Sequence, residues 1–508
     1  MGTSQSAGKV RRVAIATSFI ESRYWTTVIE GIVGRLRSEG VVSVCFTLGD
    51  RIGRAPVTPD RHPLYQLVRP GNVDGLIVLA PAAFPDGAER FCRRHGDIPI
   101  VSVGQRLADV PSVWLHNAAG IRAGMEHLVE RCGRRRIAFL RGPATNAEAE
   151  ARFRSYEDLC VELSLGTGAD LVAQGDFTEA SGYRAARLLL EQHLDSVDAI
   201  FAANDLMALG AIRAARDVGV EVPARLAVMG FDDLEARFGD PPLSTVRQPT
   251  RELGERAAEF MVRQLRGEEV PLQSLFPPEV VVRATCGAPR SLRWKPSVAR
   301  DPVERRGPVF ISLGESFLPQ SPGATDAARA ARGKILDSLK RRRGLREEVE
   351  EMLDTLEELS ETVQARAEFT EVTLRAVREQ ALQGLARALA ATEHLHQLQD
   401  AVEPVLPALS VDGLFLVASP RSSPGHSSTL VVGVQNGEST SGVGCEIDPG
   451  RVFASIAHPT LEPDLWLVLP VEEDQDAVGF LAAHGEVFDV PVLARLCALL
   501  TPALARIR

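Results

Sequence analysis

Two stretches of this 508-residue chain end apolar runs in side chains that cannot be buried without partners. Ala199–Ala202 leads into Asn204 and Asp205, and Ala227–Phe231 leads into Asp232 and Asp233. Read as strands of an open parallel sheet, both put their polar tips where such sheets bind ligands, in the crevice beyond the carboxyl ends of the strands. Carboxylates there accept hydrogen bonds and suit a hydroxyl-rich ligand. The alternative for Asn204 or Asp205 alone is a helix cap, since Asn and Asp commonly cap the helix that follows. Two such strand ends in tandem, both acidic, favour a site. Arg152 would present a rigid fork of donors, which suits adjacent hydroxyls or a carboxylate. Gln248 can both donate and accept, and the rings of Tyr24 and Trp25, after the first strand, can stack on a sugar face. Trp25 reads equally well as core of the first helix. Arg152 has a surface alternative, because Arg154 lies beside it on an Arg-rich helix.

The elements needed to position these groups are present. From Arg11 short apolar runs alternate with amphipathic helical ones: Val13–Thr17, Val41–Phe46, Leu76–Ala80, Ile100–Val103, Ile137–Leu140 and Leu171–Val172 as strands. Helices are expected at Trp25–Ser38, Asp86–Arg94, Asn117–Arg131, Ala149–Leu163 and Thr178–Glu191. That alternation predicts an α/β fold of parallel sheets covered by helices. The stretch 11–286 is too long for one sheet, so two lobes are expected, one holding Arg11–Gly133 with a helix near Arg251–Arg266, the other Arg134–Leu243 with a strand near Val280–Ala284.

The motifs AANDLMALG (from Ala202), VMGFDD (Val228–Asp233) and PLSTVRQP (Pro242–Pro249) stand in the order and spacing of the ligand-binding core of the LacI/GalR family, which residues 10 to 290 resemble. The resemblance implies a type I periplasmic-binding-protein-like fold with its ligand in an interlobe cleft. It implies ligand contacts for Tyr24, Trp25, Arg152, Asn204, Asp205, Asp232 and Gln248, with Arg152 facing Asp205 across that cleft. Two departures matter. Ser155-Tyr156 replaces a Gly-aromatic pair, and His116-Asn117 stands where the family commonly has Asp-Asn, which puts the family's usual sugar in doubt. Only twelve residues precede the first strand, too few for the family's helix-turn-helix headpiece. Sensing rather than DNA binding is therefore what the resemblance implies, and nucleic acid is expected to be an unlikely partner.

Beyond the sensor, residues 287–324 read as a Pro- and Arg-rich linker with an apolar island at Val309–Leu313. Residues 325–404 lack proline up to Pro404. Leu345, Val349, Met352, Leu356, Leu359 and Val363 step by four and three, a heptad seam that predicts a coiled-coil stem and a homodimer, with an intrachain helical hairpin as the alternative. Leu382, Leu385 and Leu389 resume out of phase. Residues 405–508 read as a small α+β domain, with strands at Leu414–Ala418, Thr429–Val434, Leu465–Val471 and Val478–Ala482 and a closing helix at Pro491–Arg506; the pattern is similar to GAF domains. Residues 1–10 are expected to be disordered.

Composition limits the function classes. A net charge of −10 argues against a general nucleic-acid binder. Seven cysteines without metal or redox spacing fit a reducing cytoplasm, and Cys445 and His458 carry no cofactor motif. No apolar run is long enough for a membrane span, and there is no signal-peptide pattern. There is no P-loop and no phosphoacceptor pattern around His394 or His396. The expectation is a cytoplasmic non-enzyme with no cofactor, no metal and no catalytic residue. It would bind a small polar ligand and pass closure through the stem to a separate partner such as a kinase or cyclase. A LacI/GalR-class DNA-binding regulator is the alternative.

Overall fold

The computed structural model describes residues 10–17, 23–47, 62–83, 87–165, 169–193, 196–234, 236, 239–288, 309–311, 377–409, 411–418, 428–435, 438–439, 445–447, 465–473, 476–484 and 487–507. The heptad seam Leu345–Val363, the N-terminal nine residues and His458 lie outside them.

The chain begins β1 (Arg12–Thr17), α1 (Arg23–Ser38), β2 (Val42–Thr47), β3 (Gly75–Leu79), α2 (Ala80–Ala83), α3 (Ala88–Arg94), β4 (Ile100–Val103), β5 (Ser112–Leu115) and α4 (Asn117–Glu126). It continues β6 (Ile137–Arg141), α5 (Ala147–Glu162), β7 (Val172–Gln174), α6 (Glu179–His193), β8 (Ala199–Ala202), α7 (Asp205–Asp217), β9 (Ala227–Asp232) and β10 (Ser244–Arg247). Then come α8 (Thr250–Leu265), β11 (Gln273–Phe276), β12 (Glu279–Val281) and β13 (Val309–Ile311). The C-terminal part has α9 (377–390), α10 (Leu395–Val402), β14 (Gly413–Ala418), β15 (Ser428–Gln435), β16 (Glu438–Ser439), β17 (Glu446–Ile447), β18 (Leu465–Glu473), β19 (Asp476–His484), β20 (Val487–Asp489) and α11 (Val490–Ile507).

Two lobes form as expected. The second lobe is a six-stranded sheet in the order β12-β10-β9-β8-β6-β7. The first lobe's parallel order is β11-β5-β4-β3-β1-β2. Their boundary differs from the sequence reading in one helix. Ile121, Met125, Leu128 and Val129, on α4 and the turn after it, lie in the second lobe's core, so the chain crosses between β5 and α4. It crosses back between β10 and α8, and again between β11 and β12. The strands β5 and β11 were not anticipated.

The larger difference is at β2. This edge of the first-lobe sheet pairs in parallel with β18, Val44 opposite Trp466 and Phe46 opposite Val468. The sheet then runs on as the antiparallel strands β19-β14-β15-β16, with β17 beside β15, so the first lobe and the C-terminal unit share one twelve-stranded sheet. Side chains alternate through the joint as strand geometry requires. Val13 and Ile15 of β1 and Leu467, Leu469 and Val471 of β18 face one core, while Ala14, Ala16, Trp466 and Val468 face the other.

The stretch 377–402, expected as the far part of a stem, belongs to this unit. Leu382, Leu385 and Leu389 of α9 and Leu398 and Val402 of α10 pack with Leu493, Leu496 and Leu500 of α11 in the core over the shared sheet. Arg495 Nη1 pairs with Glu379 at 2.6 Å, and Arg506 Nη2 donates to the Leu389 carbonyl at 2.8 Å. Of the apolar island at Val309–Leu313, Val309–Ile311 is a strand and pairs with β20. Among the described residues no helix is long and apolar enough to cross a membrane.

Candidate functional site

A chain of side chains, joined by hydrogen bonds and one ion pair, links the two lobes. Tyr24, in the first turn of α1, donates its hydroxyl to Gln248 Oε1 at 3.1 Å. Gln248, on the crossing after β10, donates Nε2 to Asp232 Oδ1 at 2.5 Å. The Arg152 guanidinium lies 3.7 Å from that same oxygen. Arg152 in turn donates Nε to Asn117 Oδ1 at 2.8 Å and Nη1 to the Ala203 carbonyl at 2.6 Å. Its plane lies over the Phe231 ring, 4.0 Å from Cζ to the centroid. A cation held by two hydrogen bonds and an aromatic face is fixed in position and desolvated.

All members but Arg152, which is in the second turn of α5, sit at or next to an element end. Asn117 opens α4, capped by His116, whose Nδ1 accepts from the Ala119 amide at 3.2 Å. Arg152 and Glu148 lie one turn apart on α5, on the same helix face. Asp232 ends β9 with φ at +119°, a backbone conformation costly for a non-glycine residue and commonest at functional sites. It is retained because its neighbour is locked. Asp233, also at positive φ, accepts from Arg247 Nε at 2.7 Å and Arg283 Nη2 at 2.5 Å. Of the two adjacent acids, one fastens the loop and the other is turned towards Arg152.

Glu148 was missed in the sequence and is the most informative group here. It is 8% exposed, and its Oε1 has no hydrogen-bond partner. Burial pushes its carboxyl up from the ordinary range, against the pull of Arg152 and a hydrogen bond from Asn117. Burial likewise raises Tyr24, with Glu148 and Asp232 adding to the shift. A buried acceptor without a partner costs about 1–3 kcal/mol, which a donor on a ligand recovers.

Residues 125–286 match the family model described as a periplasmic binding protein-like domain. The HTH-type transcriptional repressor PurR of Klebsiella pneumoniae (strain 342) is 28% identical over 279 residues, covering 54% of this chain and 78% of the repressor. The HTH-type transcriptional regulator CelR of Thermobifida fusca is 36% identical over 218 residues, 42% of this chain and 63% of that protein. A solved structure described as a transcriptional regulator CelR-cellobiose complex is 30% identical, covering 54% of this chain and 85% of that one, with a TM-score of 0.48. The two lobes are a LacI/GalR-type, periplasmic-binding-protein-like sensor domain. The matched relatives are named as transcriptional regulators, not enzymes, and those names run against the expectation that nucleic acid is an unlikely partner.

Within this sensor domain the expected residues divide. Tyr24, Arg152, Asp232 and Gln248 come together as described. Asn204 is a cap: its Oδ1 accepts from the Met207 amide at 3.0 Å and its Nδ2 donates to the Phe177 carbonyl at 2.9 Å. Asp205 is fully buried below the strand ends, accepting from Thr245 Oγ1 at 2.6 Å and the Leu234 amide at 3.0 Å. Burial, then the charges of Asp232 and Asp233, raise its carboxyl well above the usual range. Arg152 does not face it across the cleft, because both belong to the second lobe. Trp25 is 6% exposed and packs in the first lobe's core, edge-on to Tyr24 at 4.8 Å. Glu148 and Asn117 carried one usable signal: each lies at a helix start, and Glu148 precedes Arg152 by four residues.

Proposed function

We propose that this protein is a cytoplasmic, ligand-responsive regulator of transcription whose sensor domain binds a small polar molecule between its lobes. The observation that carries this reading is the chain Tyr24–Gln248–Asp232–Arg152–Asn117, which joins groups of both lobes, with the unpartnered Glu148 oxygen beside it. Acceptors outnumber cations there, so the ligand is rich in hydrogen-bond donors and is neutral or cationic. A carboxylate or phosphate would meet Glu148 and Asp232 with like charge. Tyr24, Arg152, Asp232, Gln248 and Glu148 are its contacts, while Asn204, Asp205 and Trp25 hold the walls in place. The ligand favours the closed arrangement by binding it better than the open one.

Relatives named as HTH-type regulators support DNA over a kinase or cyclase as the output. A second reading, in which a GAF-type C-terminal domain and a coiled-coil stem pass the signal to a partner protein, draws support from the sheet shared by the first lobe and that unit. Thermal shift of the full chain with sugars, nucleosides and carboxylates tests the ligand. Stabilisation by a hydroxyl- or amine-rich compound is expected, and stabilisation by carboxylates alone refutes the assigned ligand class. Gel shift against its own upstream DNA, with and without the ligand found, tests the output. Ligand-dependent retention supports transcriptional control, and binding that neither appears nor changes with ligand favours the protein-partner route.

A further inference from the structure

A second cluster lies at the opposite end of the α4 helical run and takes no part in the site above. His127 opens the π-helical turn His127–Arg131 that continues α4, Cys132 follows that turn, and Cys286 comes after β12. His127 Nε2 is 3.5 Å from Cys132 Sγ and 3.4 Å from Cys286 Sγ. The three potential ligand atoms all lie within 4.8 Å of one another. The sequence showed two isolated cysteines, and the fold makes them neighbours.

We propose that His127, Cys132 and Cys286 form a zinc site with three protein ligands and a fourth position open to water or an exogenous ligand. Zinc bonds sulfur at about 2.3 Å and imidazole nitrogen at about 2.0–2.1 Å in a tetrahedron, which sets the N···S edge at about 3.6 Å. The two observed separations match that edge to within about 0.2 Å. Two thiols and an imidazole suit zinc and exclude magnesium or calcium, which take oxygen. The wide turn is what makes the pairing: the Cys132 amide reaches back to the His127 carbonyl at 3.2 Å, five residues away, so both side chains fall on one side. Cys286 rests on a fastened backbone, since Thr285 donates to the Val228 carbonyl at 2.7 Å and accepts from the Ser244 amide at 2.8 Å. His127 and Cys132 are partly exposed and give the ion a way in, while Cys286 is buried. On binding, each coordinating thiol releases its proton to solvent. The metal would fix the far end of α4, whose first residue, Asn117, holds Arg152 at the ligand site. It would also tie down the segment that follows β12.

The test uses full-length protein, stripped with chelator under reducing conditions and titrated with zinc, with cobalt as a spectroscopic probe. One equivalent of zinc is expected, competing with a chromophoric chelator and raising the melting temperature. Cobalt should give thiolate charge-transfer absorption and the intense bands of a tetrahedral ion. The Cys132→Ser/Cys286→Ser double variant should lose both, while Cys445→Ser, at an exposed cysteine, keeps them. Because the cobalt spectrum is read on the unaltered chain, the proposal can fail even where the double variant does not fold. Weak octahedral bands, binding that survives in the double variant, or binding abolished by Cys445→Ser would overturn it. So would a reduced protein that takes up no zinc but forms a Cys132–Cys286 disulfide on oxidation, which would make the cluster a redox pair.

Discussion

Glu148 contributes in opposite directions to stability and to binding. Its folded carboxyl titrates above the ordinary value of about 4.3, so the fold favours the neutral form. For a raised acid, the stabilisation is complete below the unfolded pKa and is lost as pH climbs through the folded one. The ligand-free protein should therefore lose stability as pH rises from about 4.3 through the raised value, and Asp205, shifted the same way, adds to that slope. Glu148→Gln removes the charge while keeping the shape. It is expected to raise the melting temperature at pH 7 by the equivalent of about 1–2 kcal/mol and to flatten the acid side of the profile. The same change should weaken the ligand found by thermal shift at least tenfold, about 1.4 kcal/mol. Calorimetry of both proteins across pH checks this, and a variant that is destabilised at pH 7 while binding unchanged would remove Glu148 from the site. At this scale the sequence was informative about type and silent about direction. Asp232 and Asp233 are chemically equivalent in the chain, and only the arginines Arg247 and Arg283, one from β10 and one just after β12, decide which acid turns to Arg152. Asn204 and Asp205 were read as a site because their strand end resembles that of β9; caps and buried loop fasteners use the same residue types as ligand contacts.

Among the elements, period and order were legible while partners were not. Except for β5, the parallel strands from β1 to β9 followed from short apolar runs between helices, and VMGFDD has a packing reason at its glycine. A Cβ on Gly230 would press on Asp205 Oδ1, so the bare backbone lets the buried acid reach Thr245. The Leu382, Leu385 and Leu389 stripe was read towards a stem because a helix seam and a helix laid on a sheet present the same three-and-four spacing. What told them apart was the apolar face of α11 and β18, far along the chain. The contact of α1 with α8 depends on paired glycines in the same way. A Cβ on Gly31 would overlap the Arg251 carbonyl, and one on Gly254 the Val28 carbonyl. Backbone cannot give way as a side-chain tip does. Gly254→Ala is expected to destabilise the fold by about 1–3 kcal/mol, although alanine favours an isolated helix by about 1 kcal/mol. Urea unfolding measures the balance, and a stabilised variant would mean that the two helices are not in close contact.

At the scale of the molecule, the joint between β2 and β18 determines what can move. Edge strands invite pairing with other chains unless covered, and β18 covers β2 with backbone bonds and a core on each face. The first lobe and the C-terminal unit are thereby one body, while the second lobe is attached through three crossings of backbone and the chain of polar side chains at the site. Closure on a ligand should therefore move the second lobe against everything else. Spin labels introduced as unnatural amino acids at Ser38 of the first lobe, Arg387 of α9 and Val161 of α5 report on this directly, since all three are exposed. The Ser38–Arg387 distance should keep the same value and width with and without ligand, and the Ser38–Val161 distribution should shift on addition. The β18 amides should stay protected from exchange in both states, because opening the sheet would unpair two ladders at once. If Ser38–Arg387 moves with ligand while Ser38–Val161 stays still, the joint is the hinge, and the signal reaches the C-terminal unit by its release from β2 instead of through rotation of the second lobe.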